Sequence, residues 1–311
     1  MKYMEIDKKK IAGLVLLLLG SCTYGETDLY NRQRGKVTIA LDWGEAAVPD
    51  SAAFYFYPFG ENIAQVRMAG GNGFEGTLPA GRYQVMVVNT THSGLTLYTD
   101  RGYDKANAYV KTDTDTNRTQ PREDGQQLIV SPLDLCGAGL SQVTVGKEPA
   151  SYVAYPVQQV FSVRLDVVLV GTLSIDRLEG ELSGVAASVH IPTATPDFSE
   201  PAAVGFDLKQ QAPGRFRSSA TVLGLHPKGA LDNEKAKNHL RLYVWLADQR
   251  RFVSELDVTA LVKEAMENQT EGVVAATIKL ALAVDPSKPQ GFDLQIVEWN
   301  TGTGWAGEEE Y

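Results

Sequence analysis

A mainly β protein is predicted, divided into two domains with one short helix in the second. Three observations lead there. Apolar and polar residues alternate with period 2 in one short segment after another. Helical spacing occurs in a single stretch, and glycine- and proline-containing turn signals punctuate the chain throughout.

The first strand is read from Val37, Ile39, Leu41 and Trp43, which share a face opposite Thr38 and Asp42. Phe54 and Phe56 then alternate with Tyr55 and Tyr57 before Pro58 ends the run. Leu78, Pro79, Ala80 and Gly81 form a turn signal, after which Tyr83, Val85 and Val87 resume the alternation. Residues 95–98 and 127–130 read as further short strands. The second half has longer ones. Phe161, Val163, Leu165, Val167 and Leu169 oppose Ser162, Arg164 and Asp166, and Leu240, Leu242, Val244 and Leu246 oppose Arg241, Tyr243 and Trp245. Val274, Ala276, Ile278, Leu280 and Leu282 make another strand, and Phe292, Leu294 and Ile296 a last one. Such alternation belongs to sheets packed on one face and wetter on the other.

Val258, Leu261, Val262, Ala265 and Met266 fall at i, i+3, i+4, i+7 and i+8, with Asp257 placed to cap the first turn. One helix among many strands reads as a crossover laid over a sheet edge or sandwich end. The polar, turn-rich stretch 101–127 reads as a long excursion of the first domain. The pattern is interrupted at residues 146–151, so the domains are placed at 36–148 and 149–311, each near the usual domain size.

The N-terminus carries a different signal. Lys8, Lys9 and Lys10 precede an apolar run from Ile11 to Leu19, and Gly20, Ser21 and Cys22 follow. A positive segment, a short apolar core and small residues form a secretory signal peptide, here residues 1–21. A bilayer-spanning helix needs about 20 apolar residues, far more than this run supplies. Leu19-Gly20-Ser21-Cys22 resembles the lipobox of bacterial lipoproteins, which implies that Cys22 is acylated and becomes the first mature residue. Membrane lipid would then be a partner through the acylated Cys22. Residues 22–35 are polar enough to be a tether. Lipidation consumes one of the two cysteines and leaves Cys136 without an intramolecular partner. Leu133, Leu135 and Leu140 around it predict a buried thiol.

The chain carries a net charge of −9, and loss of Lys2, Lys8, Lys9 and Lys10 with Glu5 and Asp7 takes the mature body to −11. An acidic body repels phosphate backbones, which argues against nucleic acid as a partner.

Several motifs fail on their context. Gly71, Gly73 and Gly76 match G-x-G-x-x-G, but a turn and a strand follow instead of the helix that a dinucleotide phosphate needs. They read as a hairpin loop. Asp113, Asp115 and Asn117 open like a calcium loop, yet Arg118 stands where glycine is required and Asp124 where glutamate is. His92, His190, His226 and His239 have no ligand spacing. Ser93 beside His92 is adjacency in sequence, which does not place a base on a nucleophile. No catalytic residue, cofactor site or metal site is therefore predicted. Tyr55 and Tyr57 lie opposite the phenylalanines of their strand and read as sheet cover, with sugar stacking as the alternative. Trp299 reads as packed and Trp305 as exposed.

With these parts assembled, the chain resembles the Bacteroidetes fimbrial-subunit lipoproteins, the anchor and minor components of type V pili, and their uncharacterised lipoprotein relatives. The resemblance is carried by Leu41-Asp42-Trp43 with the aromatic strand after it and by the turn from Thr77 to Tyr83 running into Val85–Asn89. The C-terminal order of strand, helix and two strands closing on Trp299 carries the rest. It implies two tandem transthyretin-like β-sandwich domains, strand exchange between subunits, fimbrial subunits as partners, and an outer-membrane location at the cell surface. Polymerising subunits of such pili are trimmed at an arginine; Arg32 and Arg34 are the candidates here. The implied function is a non-enzymatic fimbrial anchor or minor pilus subunit. A surface glycan-binding lipoprotein of a polysaccharide-uptake system is the alternative, and a carbohydrate hydrolase the enzymatic rival.

Overall fold

The computed structural model describes residues 33–44, 47–114, 125–170, 175–225, 236–248, 250–267, 275–284 and 292–301. The signal segment 1–21, Cys22, Arg32, Asp115, Asn117, His226 and Trp305 lie outside the described residues.

The first half contains β1 (Arg34–Leu41), β2 (Ser51–Pro58), β3 (Gln65–Gly70), β4 (Gly73–Pro79), β5 (Gly81–Asn89) and β6 (Leu95–Tyr98). It continues with β7 (Asn107–Val110), β8 (Leu128–Ile129), β9 (Cys136–Val145), β10 (Ala150–Ala154) and β11 (Val157–Gln158). The second half contains β12 (Phe161–Val170), β13 (Ile175–Val185), β14 (Ser188–His190), β15 (Thr195–Asp197), β16 (Ala202–Ala212) and β17 (Arg215–Val222). After these come β18 (His239–Leu246), β19 (Arg251–Asp257), the helix α1 (Thr259–Glu267), β20 (Ala275–Val284) and β21 (Phe292–Thr301). The chain is mainly β, in tandem sandwiches.

In the first sandwich a three-stranded sheet, β10-β1-β4, faces a five-stranded one, β11-β9-β5-β2-β3. The alternation read from sequence becomes its core. Val37 and Ile39 from β1 meet Phe54 and Phe56 from β2, Val85 and Val87 from β5, and Phe74, Tyr83 and Val143. Burial supplies the stability of this half, at about 25 cal/mol per Å² of apolar surface. Beyond the expected junction at 148/149, β10 pairs with β1 and β11 with β9, so the first sandwich's sheets run on to Gln158.

The second sandwich is one sheet folded on itself at β16. Residues from Ala202 to Leu208 pair with β13, and those from Lys209 to Ala212 pair with β17. The path β19-β18-β13-β16-β17-β12-β20-β21 thus makes two layers, and Leu165, Leu178, Phe206, Val222, Leu242 and Ile278 meet between them. The two sandwiches share one device. Each opens on a strand paired antiparallel on one side and parallel on the other: β1 with β4 and β10, and β12 with β17 and β20.

The helix cap predicted from sequence is present. Thr259 N–H donates to Asp257 Oδ1 at 2.9 Å, and Val258 and Val262 are fully buried against the second core.

A fourth sheet joins the two halves. Its order is β15-β14-β7-β6, so two strands come from each side of the junction. Beneath it lies a third core in which Tyr57, Met86, Val88 and Leu135 meet Val189, Ile191, Phe198 and Leu223. Two glycines of β9 make this approach possible. A Cβ on Gly139 would stand 2.2 Å from Tyr103 Oη and 2.7 Å from Pro192 O, and one on Gly137 would stand 2.7 Å from Ile191 Cγ2. Any larger residue there would push the second sandwich off the first.

On the outer face of the second sandwich, Asp166 is 3% exposed. Arg215 Nε donates to its Oδ1 at 3.0 Å, Arg215 Nη2 to its Oδ2 at 2.6 Å, and Arg217 Nε to Oδ2 at 3.1 Å. Burial alone would raise the carboxyl pKa; hydrogen bonds and charge from the two guanidiniums outweigh it and hold the pKa below its ordinary 3.8. A depressed folded-state pKa adds stability above the unfolded value and loses it as pH falls through the folded one. Asp166→Asn is expected to lower the melting temperature by about 2–4 °C at pH 7. The gap should close as the pH falls below 3.8, a trend that thermal melts at several pH values would check.

Candidate functional site

The strand edges, one cleft and one aromatic face are the places where this fold can meet another molecule. Cys22 lies outside the described residues, and the described chain begins just before β1. There Arg34 Nη2 donates to Thr77 O at 2.8 Å across the β1–β4 pair. β1 runs between two partners, and its inward face buries Val37 and Ile39 fully against the facing sheet. The first strand is therefore an integral part of the core of its sandwich.

Gly71, Gly73 and Gly76 do not close a hairpin. β3 and β4 belong to different sheets; Gly71 and Gly73 form the corner that carries the chain between them, and Gly76 lies within β4 opposite Val37. Gly73 has φ +137, and a Cβ there would stand 2.2 Å from Ile39 O, which explains glycine at the corner. The ring N–H of buried Trp43 donates to Gly71 O at 2.7 Å and ties the corner to the end of β1.

Beside that corner opens a cleft of about 350 Å³ lined by Trp43, Val48, Asn89, Asp134, Cys136 and Gln158. Asn89 organises its rim: its Nδ2 donates to Thr91 Oγ1 at 2.7 Å and to Asp134 O, and its Oδ1 accepts the Cys136 N–H at 2.8 Å. Cys136 is half-buried and not enclosed as its leucine neighbours suggested. Leu135 is fully buried but Leu133 is 49% exposed, because β9 begins at the cleft lip. Burial, with a lesser effect of Asp134, pushes the thiol pKa up, so Cys136 is a poor nucleophile at neutral pH.

The remaining polar groups are dispersed. His190 Nδ1 lies 2.7 Å from Thr193 Oγ1 and its Nε2 3.2 Å from Tyr103 O, whereas His239 Nδ1 pairs with Glu255 at 3.1 Å. Asp113 N–H donates to Leu128 O at 2.9 Å as part of the strand connection. Among the described residues no group of three His, Cys, Asp or Glu side chains converges. On β18, Trp245 is bracketed by Arg177 at 3.9 Å and Arg251 at 5.3 Å from its ring centre, a packed outer face.

Tyr55 and Tyr57 cover a sheet face, as read from sequence. Tyr57 is fully buried, with its hydroxyl donating to Thr99 O at 3.0 Å, and Tyr55 is half-buried against the inter-sandwich core. Tyr98 and Tyr109 on the joining sheet are exposed, 5.1 Å apart and edge to face. Their pairing across β6 and β7 comes from a stretch read as an irregular excursion. The only sequence signal was the tyrosine at the end of Leu95–Tyr98.

Among the described residues no helix is long and apolar enough to cross a membrane. No curated protein matches the chain in sequence. Solved structures share its fold. One, described as a "putative adhesin" from Bacteroides ovatus, is 19% identical with TM-score 0.63, over 77% of this chain and 88% of that one. The fimbrial anchor protein Mfa2 from Porphyromonas gingivalis is 11% identical with TM-score 0.57, over 87% of this chain and 98% of its own. A structure described as "putative polysaccharide binding proteins (DUF1812)" from Bacteroides thetaiotaomicron is 12% identical with TM-score 0.54, over 85% and 98%. The fold is thus that of adhesion and fimbrial proteins. A family model described as "Domain of unknown function (DUF5119)" matches residues 21–207, more than half of the chain. The chain belongs to the DUF5119 family.

Proposed function

We propose that this protein is a non-enzymatic lipoprotein of the outer membrane, held at the cell surface through acylated Cys22. There it serves as a fimbrial anchor or minor pilus subunit, with fimbrial subunits as its partners through strand-mediated contacts. The observation that carries the reading is the tandem-sandwich fold shared with a fimbrial anchor over nearly all of that chain. Two features support it. The lipobox precedes a short polar tether, and β1 is a complete, doubly paired strand such as an anchor would keep after export. Arg32 and Arg34 remain the candidate processing sites; a cut at either would part the body, with β1, from Cys22, so an anchor keeps both uncut. The experiment is a strain in which Cys22→Ala replaces the native chain, scored for shed fimbriae.

The exposed Tyr98–Tyr109 pair favours a second reading, a surface glycan-binding lipoprotein of a polysaccharide-uptake system. Thr96 and Asn107 on the same face supply hydroxyl and amide groups beside the rings. If that reading holds, native protein is retarded in affinity gels containing host or plant polysaccharide, and Tyr98→Ala with Tyr109→Ala abolishes the retardation. If the anchor reading holds, migration is unchanged in both.

A further inference from the structure

Among the described residues, the outer edge of β3 is a strand edge open to a partner. β3 ends the five-stranded sheet, paired with β2 in an unbroken register from Ser51–Gly70 to Phe56–Gln65. Alternate residues of such a strand turn N–H and C=O groups away from the sheet, a ready template for another strand. Native edges are usually blunted by charge, proline, bulges or brevity. Some of the other edges among the described residues show such devices. β15 is three residues with Pro196 and Asp197, and β19 alternates charge through Arg251, Glu255 and Asp257. The open side of β9 is interrupted opposite Gln84 and closed at Thr144 by Tyr152 Oη, which accepts the Thr144 N–H at 2.8 Å and donates to Thr144 O at 3.1 Å.

β3 instead exposes apolar side chains. Val66 is 45% and Met68 61% exposed on the face shared with Tyr55 and Ala53, and Ile63, just before the strand, is 75% exposed. Its one charge is Arg67, on the opposite face across from Phe54. The guanidinium donates only to the carbonyl of its own neighbour, Val66, at 3.0 Å, and no described acid pairs with it.

We propose that β3 is a strand-addition site for an extended segment of a partner protein carrying an acidic residue between two apolar ones. Backbone pairing would bind the strand, as in other edge-addition complexes. The flanking apolar residues cover Val66 and Met68 on one face, and the acid meets Arg67 on the other. A second copy of this chain is the wrong occupant. Antiparallel β3–β3 pairing centred on Arg67 sets two guanidiniums opposite each other, and directly opposed like charges destabilise a strand pair. The proposal rests on the anchor reading for the partner's biological identity and adds the surface and the sequence pattern it accepts.

The test is fluorescence anisotropy of a labelled heptapeptide, threonine and valine alternating about a central glutamate, titrated with the full mature chain. Saturable binding is expected, about fivefold weaker when the central residue is lysine. Arg67→Glu should reverse that order, and Met68→Lys should remove binding of both peptides. Both positions are exposed, and unchanged thermal melts show that the variants fold. Equal binding of the two peptides, no binding, an order unmoved by Arg67→Glu, or a dimer dissolved by Met68→Lys would overturn the assignment. None of these results bears on whether the protein anchors fimbriae, which the Cys22→Ala strain decides separately.

Discussion

Replacing Phe56 with alanine is expected to destabilise the first sandwich by about 3–5 kcal/mol, the range for emptying a buried aromatic site. The ring is fully buried. Its centre lies 5.0 Å from that of Phe74, 6.3 Å from Phe54 and 6.4 Å, edge to face, from Tyr83. Each such aromatic pair adds about 0.5–1.5 kcal/mol beyond area burial. Those rings come from three strands in two facing sheets, so no single backbone shift can refill the space. Phe59, three residues on, is the control. It is 57% exposed and touches Arg82, whose Cζ lies 4.5 Å from the ring centre. Phe59→Ala should cost under about 1 kcal/mol, the worth of an exposed cation–π contact. Urea titrations of the two variants, followed by tryptophan fluorescence through Trp43, would measure both. Equal midpoints would mean that the two sheets of the first sandwich do not share this core.

Much of the fold was legible because period-2 alternation survives wherever one face of a strand is wet. β1, β2, β5, β12 and β18 were all found that way, and the helix was found through its apolar spacing and Asp257. Some strands that escaped have no dry-versus-wet contrast. In β13, residues 180–185 are buried throughout, including Glu181 and Ser183, because the sandwich core lies on one side and covering elements on the other. Gly180 stands there with Leu165 and Leu242 side chains 3.1 Å from a would-be Cβ, a packing demand that reads in sequence as a turn. β7 escaped for a different reason. It is four residues in a polar stretch, set between nearby β6 and the distant β14.

The candidate sites divide in the same way. The proposed lipidation of Cys22 rests on a linear pattern, which a sequence displays directly. Val66, Arg67 and Met68 alternate plainly enough, but an edge is a property of the whole sheet, and no local pattern says which strand comes last. Tyr55 and Tyr57 were legible as sheet cover, but that the other sandwich supplies the cover is a property of the whole fold.

The largest effect on function is expected at Cys22. Each methylene of an acyl chain buried in the bilayer contributes about 0.8 kcal/mol, and two or more chains are needed for stable attachment. Among the described residues no helix can span a membrane, and a mature charge of −11 repels anionic lipid. The most direct measurement is therefore a strain carrying Cys22→Ala, in which membrane and soluble fractions are assayed for the protein and the culture medium for fimbriae. The proposed role predicts protein lost from the membrane fraction and fimbriae shed into the medium, with both restored by the native gene. Protein that stays membrane-bound, or fimbriae that remain attached and normal in length, would contradict it.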